Sequence, residues 1–496
     1  MNKMIKPSLE EAKAFAKFEK YNVLPLSMEI YADIVTPTEV VRILKNVSKS
    51  CFLLESVENN ERWGRYSFLG FDPKLEITCT NWVTKITTPQ TTEVFENDNP
   101  NPRIQAIIDA HKSVKIDGLP PFAGGLVGYF AYDYVKYTEL SLQLESSDQV
   151  HFRDLDLMLF DKVIAFDHYR QKIILIVNIS LKDLENSYEA GIKQLKDLKD
   201  LIENGIKANI EPAHLKSDFK PLFSKESYIE KVKKAKDYIK EGDIFQVVLS
   251  NWFSANFEGS LFNTYRALRT INPSPYMFYF SGSDLEIAGA SPETLVKLTD
   301  GKLFTFPLAG TRPRGSTEAE ELALEKELLA DEKELAEHNM LVDLGRNDLG
   351  KISKFGTVEV EEYMSILKFS HVMHIGSTVT GQIQEEKTGL DAINAVLPAG
   401  TLSGAPKVRA MEIINELEQT KRGVYGGAIG YLDFTGNMDT CIGIRIAYKK
   451  ADQVFVRAGA GIVADSNPEL EYEECVNKSK GMRFALEESS EGGLAK

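Results

Sequence analysis

The chain has 496 residues, 43% of them hydrophobic, enough for two or three domains or one large two-part unit with a sizeable core. A net charge of −15 excludes an extended nucleic-acid surface, which needs clustered Lys and Arg, but allows a small anion in a local basic pocket. Cys51, Cys79, Cys441 and Cys475 form no CxxC, no apolar run reaches membrane-spanning length, and the N-terminus has no signal-peptide core; a soluble cytoplasmic protein with no membrane partner is expected.

Residues 8–20 read as a helix and VLPLSMEI as a strand. Thr36-Pro37-Thr38 starts a helix, with proline where its missing N–H is harmless. Strands follow at CFLLES, YSFLGF and KLEITC, and glycines punctuate PPFAGGLVGYFAYD as at a strand bend. LMLFDKVIAF and KIILIVNIS are strands, and 183–204 a helix. Residues 206–224 lack a clear period and carry two prolines. They are expected to link an N-terminal domain, 1–205, to a C-terminal domain, 225–490. The second part opens with a helix over 225–241. IFQVVLSNWF follows as a strand, LFNTYRALRTI as a helix, and YMFYFSG, LEIAGAS and KLFTFPLAG as strands. Thr317 and Glu320 form a capping-box pattern ahead of a helix running to about 345. Helices are expected at 388–397, 407–418 and 468–487. Between the last two, GAIGYLDF, TCIGIRIAYK and VFVRAGAGIV read as an antiparallel meander. Strands in runs joined by hairpins favour an α+β fold with antiparallel sheets.

Two glutamate pairs stand out. Glu334 and Glu337 lie in DEKELAEHNMLVDLGRND, and Glu471 and Glu474 in NPELEYEECVNKSK. Residues three apart share a helix face, where like charges repel. Most such pairs are solvated surface. These sit among apolar neighbours, Leu335, Met340, Leu341 and Leu344 in one run, Tyr472, Met482 and Phe484 in the other. Two facing pairs would make an oxygen cage for a hard divalent cation such as Mg²⁺. A third feature is LPAGTLSGAPKVRAMEII, residues 397–414, in which small residues lead through Pro406 into a helix. Such a turn can present backbone N–H groups to a carboxylate or phosphate, although its spacing is not that of a Walker A loop.

That run resembles, nearly letter for letter, the chorismate-utilising enzymes, with the fuller match to the anthranilate synthase component I branch. The likeness extends through LLES, GRYSFLGFDP, GDIFQVVLS, NPSPYMFY, GASPETLV, FPLAGTRPRG, HVMHIGS, YGGAIGY, DTCIGIRIA and AGAGIV. It implies two intertwined α+β subdomains, with large antiparallel sheets around a central active-site cleft and helices outside. It implies Mg²⁺ on Glu337 and Glu474, with Glu334 and Glu471 reaching it through water. The substrate would be chorismate, a dicarboxylate. Arg445 is the bidentate partner for one carboxylate, an arginine that would otherwise need a buried ion pair on its apolar strand. Tyr425, the turn Gly459-Ala460-Gly461, Gly310 and Thr311 match further substrate contacts, and Lys478 meets either a glutamate or the substrate. Ammonia adds at C2 as the C4 hydroxyl leaves; pyruvate then departs. Glu293 matches the general acid, His374 a histidine of the pyruvate-releasing step, and Thr401 a neighbouring substrate contact. His371 reads as structural.

Ala309 stands where the related aminodeoxychorismate synthases commonly carry a nucleophilic lysine, and Gln246 where isochorismate and salicylate synthases carry a water-activating lysine. Both favour anthranilate, with aminodeoxychorismate synthase component I as the alternative. No cysteine has the glycine-flanked elbow of a glutaminase, so a separate glutamine amidotransferase subunit is expected to supply ammonia. Ser56, Pro275, Tyr276 and Met277 match the family's pocket for tryptophan as feedback inhibitor.

Overall fold

The computed structural model describes residues 5–56, 64–144, 146–148, 150–368 and 372–490; His371 lies outside them. Two large sheets, one of 14 strands and one of 12, make up the molecule. Their pairings are antiparallel, as hairpin-joined strands require. Each sheet takes strands from both parts of the chain. Cys51–Glu55 pairs with Tyr276–Ser281, with Leu54 opposite Phe278, in the larger sheet. Gly125–Phe130 pairs with Ala428–Asp433, with Val127 opposite Tyr431, in the smaller. The fold is α+β, as the hairpin pattern indicates.

The two sheets face each other across a core that includes Phe52, Ile176 and Phe278 from one and Val127, Phe160 and Ile429 from the other. Phe52 and Phe160 meet edge to face at 4.8 Å between ring centroids. Each large apolar side chain removed from water there contributes about 1.5–3 kcal/mol. Helices cover the outer faces. Leu184–Asn204 lays Leu195 and Leu198 on the larger sheet, and Gly389–Val396 lays Leu390 and Ile393 on the smaller. Within 206–224, His214–Leu215 and Lys220–Pro221 add short strands to Gln246–Glu258.

Three expectations are corrected. The helix expected from 317 to about 345 is two helices, Glu318–Ala330 and Glu332–Gly350. Asp331 separates them, its carboxylate accepting from the N–H groups of Lys333 and Glu334 at 3.1 and 3.3 Å. At the first of these helices the Thr317 hydroxyl accepts from Glu320 N–H. The Glu320 carboxylate, however, accepts from Ser316 rather than closing a capping box. Finally, TCIGIRIAYK is not one strand of a meander. Met438–Ile442 belongs to the smaller sheet and Ile446–Lys450 to the larger.

Candidate active site

The cleft forms where chain segments cross from one sheet to the other. Strand Leu285–Ser291 ends in the larger sheet, and two residues later Thr294–Thr299 begins in the smaller. Glu293 occupies this corner. The second crossing runs the other way through Gly443, Ile444 and Arg445. Arg445 has φ +52°, a left-handed conformation that non-glycine residues adopt at a cost. Arg445 therefore sits at a corner rather than on a strand. The corners lie side by side. Ile442 N–H donates to the Glu293 carbonyl at 3.0 Å, Ala290 N–H to the Arg445 carbonyl at 3.1 Å, and the Ser291 hydroxyl to the Ile442 carbonyl at 2.7 Å. An acid and a guanidinium thus emerge at one point.

Glu293 accepts a hydrogen bond from the Thr401 hydroxyl at 3.0 Å. Burial pushes its carboxyl up to about 7, against the opposing pull of that hydrogen bond and of the Lys478 ammonium. A carboxyl protonated near neutral pH can donate a proton. Thr401 lies on the short 3-10 turn Gly400–Leu402. Arg445 is half-buried and forms no ion pair among the described residues, and burial lowers its pKa.

His374, on Val372–Gln382, has Nδ1 2.7 Å from the Gly310 carbonyl and 3.2 Å from the Thr311 hydroxyl. A proton on Nδ1 satisfies the carbonyl and makes Nε2 the basic nitrogen. Burial lowers its pKa, as does the nearby Arg445 charge, so the ring is neutral at pH 7. Gly310 and Thr311 fall in an irregularity between Ala309 and Arg312, where Gly310 has φ +64°. A Cβ on Gly310 would lie 2.8 Å from Leu328 and 3.3 Å from Glu334, so the site requires glycine there.

Gly459-Ala460-Gly461 is not a turn; it lies within strand Gln453–Ile462. Alternation sends Ala460 into the core, whereas a Cβ on Gly459 would meet the Tyr425 hydroxyl at 2.8 Å and one on Gly461 the Gln246 amide at 2.8 Å. The glycines let those two side chains lie across the strand. Tyr425 and Gln246 are both buried. Lys478 donates to the Gly459 carbonyl at 3.3 Å and pairs with Glu474 at 2.6 Å.

Glu334 and Glu337 project from the first two turns of Glu332–Gly350, and Glu471 and Glu474 from the start of Pro468–Ser490. The pairs approach each other. Burial raises the Glu337 pKa, as do the charges of Glu334 and Glu474; burial and Glu474 raise that of Glu471. The Glu471 Oε2 is buried without a hydrogen-bond partner. Four carboxylates, offset by Lys333 and Lys478, give hard oxygen donors of the kind a divalent cation takes. Among the described residues, however, no three such side chains are gathered closely enough to hold one, and Lys478 pairs with Glu474 at 2.6 Å.

Ser56, Pro275, Tyr276 and Met277 do not line this cleft. They line a separate cavity of about 120 Å³, with Phe68, Ile429 and Tyr431. The Ser56 hydroxyl oxygen there is buried without a hydrogen-bond partner among the described residues. Tyr276 donates to Asp439 at 2.8 Å and is 2.9 Å from the Thr294 hydroxyl, next in chain to Glu293. The sequence reading missed a buried group under the cleft, Glu418, Arg422 and Arg457. Its signal was an arginine inside the apolar run VFVRAGAGIV.

Comparison with known proteins identifies the family. The chorismate binding enzyme family profile matches residues 49–483. Anthranilate synthase component 1 of Acetivibrio thermocellus is 47% identical over 98% of this chain and 100% of its own length. That of Aquifex aeolicus is 45% identical over 98% of each. The crystal structure of anthranilate synthase component I from Streptococcus pneumoniae superposes with a TM-score of 0.76 at 39% identity, covering 91% of this chain and 98% of that one. The menaquinone-specific isochorismate synthase of Escherichia coli, at 19% identity and TM-score 0.70 over 96% of this chain and 98% of its own, shares the fold. The chain belongs to the chorismate binding enzymes, in the branch of anthranilate synthase component 1.

Proposed function

We propose that this chorismate-utilising lyase is the aminating subunit of a cytoplasmic anthranilate synthase. It converts chorismate and ammonia to anthranilate, pyruvate and water, the first committed step of tryptophan biosynthesis. The carrying observation is the half-buried Glu293 carboxyl, hydrogen-bonded to Thr401 on a corner whose backbone is tied to that of Arg445, a guanidinium without an ion pair among the described residues. Arg445, with Tyr425 and the Gly459–Gly461 strand, orients the dicarboxylate. As nitrogen bonds to C2, the C4–O bond breaks and Glu293 protonates the departing hydroxide. The C3–O bond to the enolpyruvyl group then breaks as neutral His374 takes the C2 proton, and the released enolpyruvate gains a proton at its methylene carbon to become pyruvate. Gln246 is no base and suits a nucleophile that arrives as neutral ammonia with its own lone pair. Mg²⁺ on Glu337 and Glu474, with Glu334 and Glu471 behind them, would neutralise and position a substrate carboxylate.

Ammonia comes from a separate glutamine amidotransferase subunit. The purified chain is expected to form fluorescent anthranilate from chorismate, Mg²⁺ and ammonium, and none with glutamine in place of ammonium. A para-amino product would overturn the assignment, and so would glutamine-supported turnover by the chain alone. Tryptophan is the feedback inhibitor and occupies the Ser56 cavity. There the Tyr276–Thr294 contact offers a route to Glu293, one residue away. Ser56→Phe fills that space; it should keep ammonium-dependent activity and lose inhibition, and inhibition at parental tryptophan concentration would reject the pocket.

A further inference from the structure

We propose that Arg422 is a positioning residue that holds the Thr401 turn and the Gln246 strand in register across the floor of the cleft. The inference rests on the acid role of Glu293 proposed above. Arg422 is 1% exposed, and a guanidinium so deeply buried is tolerated only when every donor has a partner. Its Nη1 donates to the Leu402 carbonyl at 2.6 Å, one residue after Thr401. Its Nη2 donates to the Val248 carbonyl at 2.6 Å, two residues after Gln246. Glu418 neutralises it, accepting from Nε at 3.0 Å and from Nη2 at 2.5 Å. The group also lies over the ring of Tyr425, at 5.8 Å to its centroid. One rigid fork therefore touches the turn bearing the partner of Glu293, the strand bearing Gln246 and the ring of Tyr425.

An ordinary ion pair would not need this geometry. Arg457 shares Glu418, at 2.6 Å, but spends its other donors on Ser250 and on the Lys421 carbonyl, away from the Thr401 turn. The turn is three residues long, held by Leu402 N–H to the Ala399 carbonyl at 3.0 Å, Ser403 N–H to the Gly400 carbonyl at 3.3 Å and the Ser403 hydroxyl to the Ala399 carbonyl at 2.9 Å. From Ser403 onward the backbone pairs with the Gln246 strand, Val248 N–H donating to the Ser403 carbonyl at 3.0 Å and Gln246 lying opposite Ala405; Arg422 carries that tie back to Leu402, beside Thr401. A lysine at 422 keeps the charge but cannot span two carbonyls and a carboxylate at once.

The test compares Arg422→Lys with Arg457→Lys, using chorismate and ammonium. Arg422→Lys should lower kcat by on the order of tenfold to a hundredfold with little change in KM, as a misplaced acid would. The Thr401 hydrogen bond holds the Glu293 pKa down, and Lys478 is the other charge facing it. Loss of that bond should move the alkaline limb of the kcat profile to higher pH. Thr401→Val should do the same, and the double variant should be no worse than the poorer single one. Arg457→Lys should lower the melting temperature and leave the limb in place. A parental limb in Arg422→Lys, or multiplicative losses in the double variant, overturns the proposal. If Arg422→Lys does not fold, Ser403→Ala loosens the same turn from its other end, and a parental limb there overturns it equally. Parental activity in Glu293→Gln would instead overturn the functional reading itself.

Discussion

At the scale of single residues, the cleft is set by what burial does to charge. Glu293 holds its proton more tightly in the folded chain than a carboxyl in water does, up to about 7 from 4.5. The folded state then binds more protons than the unfolded one across that interval, so this residue's contribution to stability falls as pH rises through it. Glu293→Gln cannot ionise. Its melting temperature should rise relative to the parent between about pH 5 and about pH 8, while turnover is lost. A difference that stays constant with pH would show that the carboxyl is not desolvated. The residue types here were legible: Glu293, His374, Thr401 and Arg445 each lie in a contiguous motif. The corner geometry was not. TCIGIRIAYK reads as unbroken β, because alternation reports a face and never which sheet the strand joins. Gly443 was the visible hint of the break.

Helix and strand boundaries aim the side chains. The break at Asp331 puts Glu334 and Glu337 in the first two turns of a helix, where the partial positive charge of unpaired N–H groups favours carboxylates by about 0.3–1 kcal/mol each. The signal was present as Asp331 followed three residues later by Glu334, but the helical periodicity on either side concealed it. Asp331→Ala should cost about 1 kcal/mol in urea unfolding, the usual effect of losing such a cap. It also removes a partner of Arg312, which sits 2.9 Å from the Asp331 carboxylate. An unchanged urea midpoint would show that the cap is not formed in solution. The AGAGIV glycines are the converse case. They were read as a turn, yet they lie in a strand because its neighbours on one face are Tyr425 and Gln246, which tolerate no Cβ beneath them.

For the molecule as a whole, the two parts of the chain share both sheets, and residues 206–224 add strands to one of them. Neither part can complete a sheet alone. Residues 1–205 and 225–490 expressed separately should therefore lack a cooperative unfolding transition and gain one when coexpressed; cooperative unfolding of either alone would contradict this. The long-range pairings also create the cleft, since it opens where two corners far apart in sequence are hydrogen-bonded together. The amino-acid sequence by itself determined the α+β class and the family, and singled out Glu293, His374, Arg445 and the paired glutamates as candidates, because each is written in a short contiguous run. The tertiary structure alone decided that Arg445 is a corner residue without an ion pair among the described residues, that the Ser56 cavity adjoins Glu293 through Tyr276 and Thr294, and that Arg422 underlies both the Thr401 turn and the Gln246 strand. Those facts depend on which strands pair, and pairing is fixed by the packing of two whole sheets rather than by any local pattern.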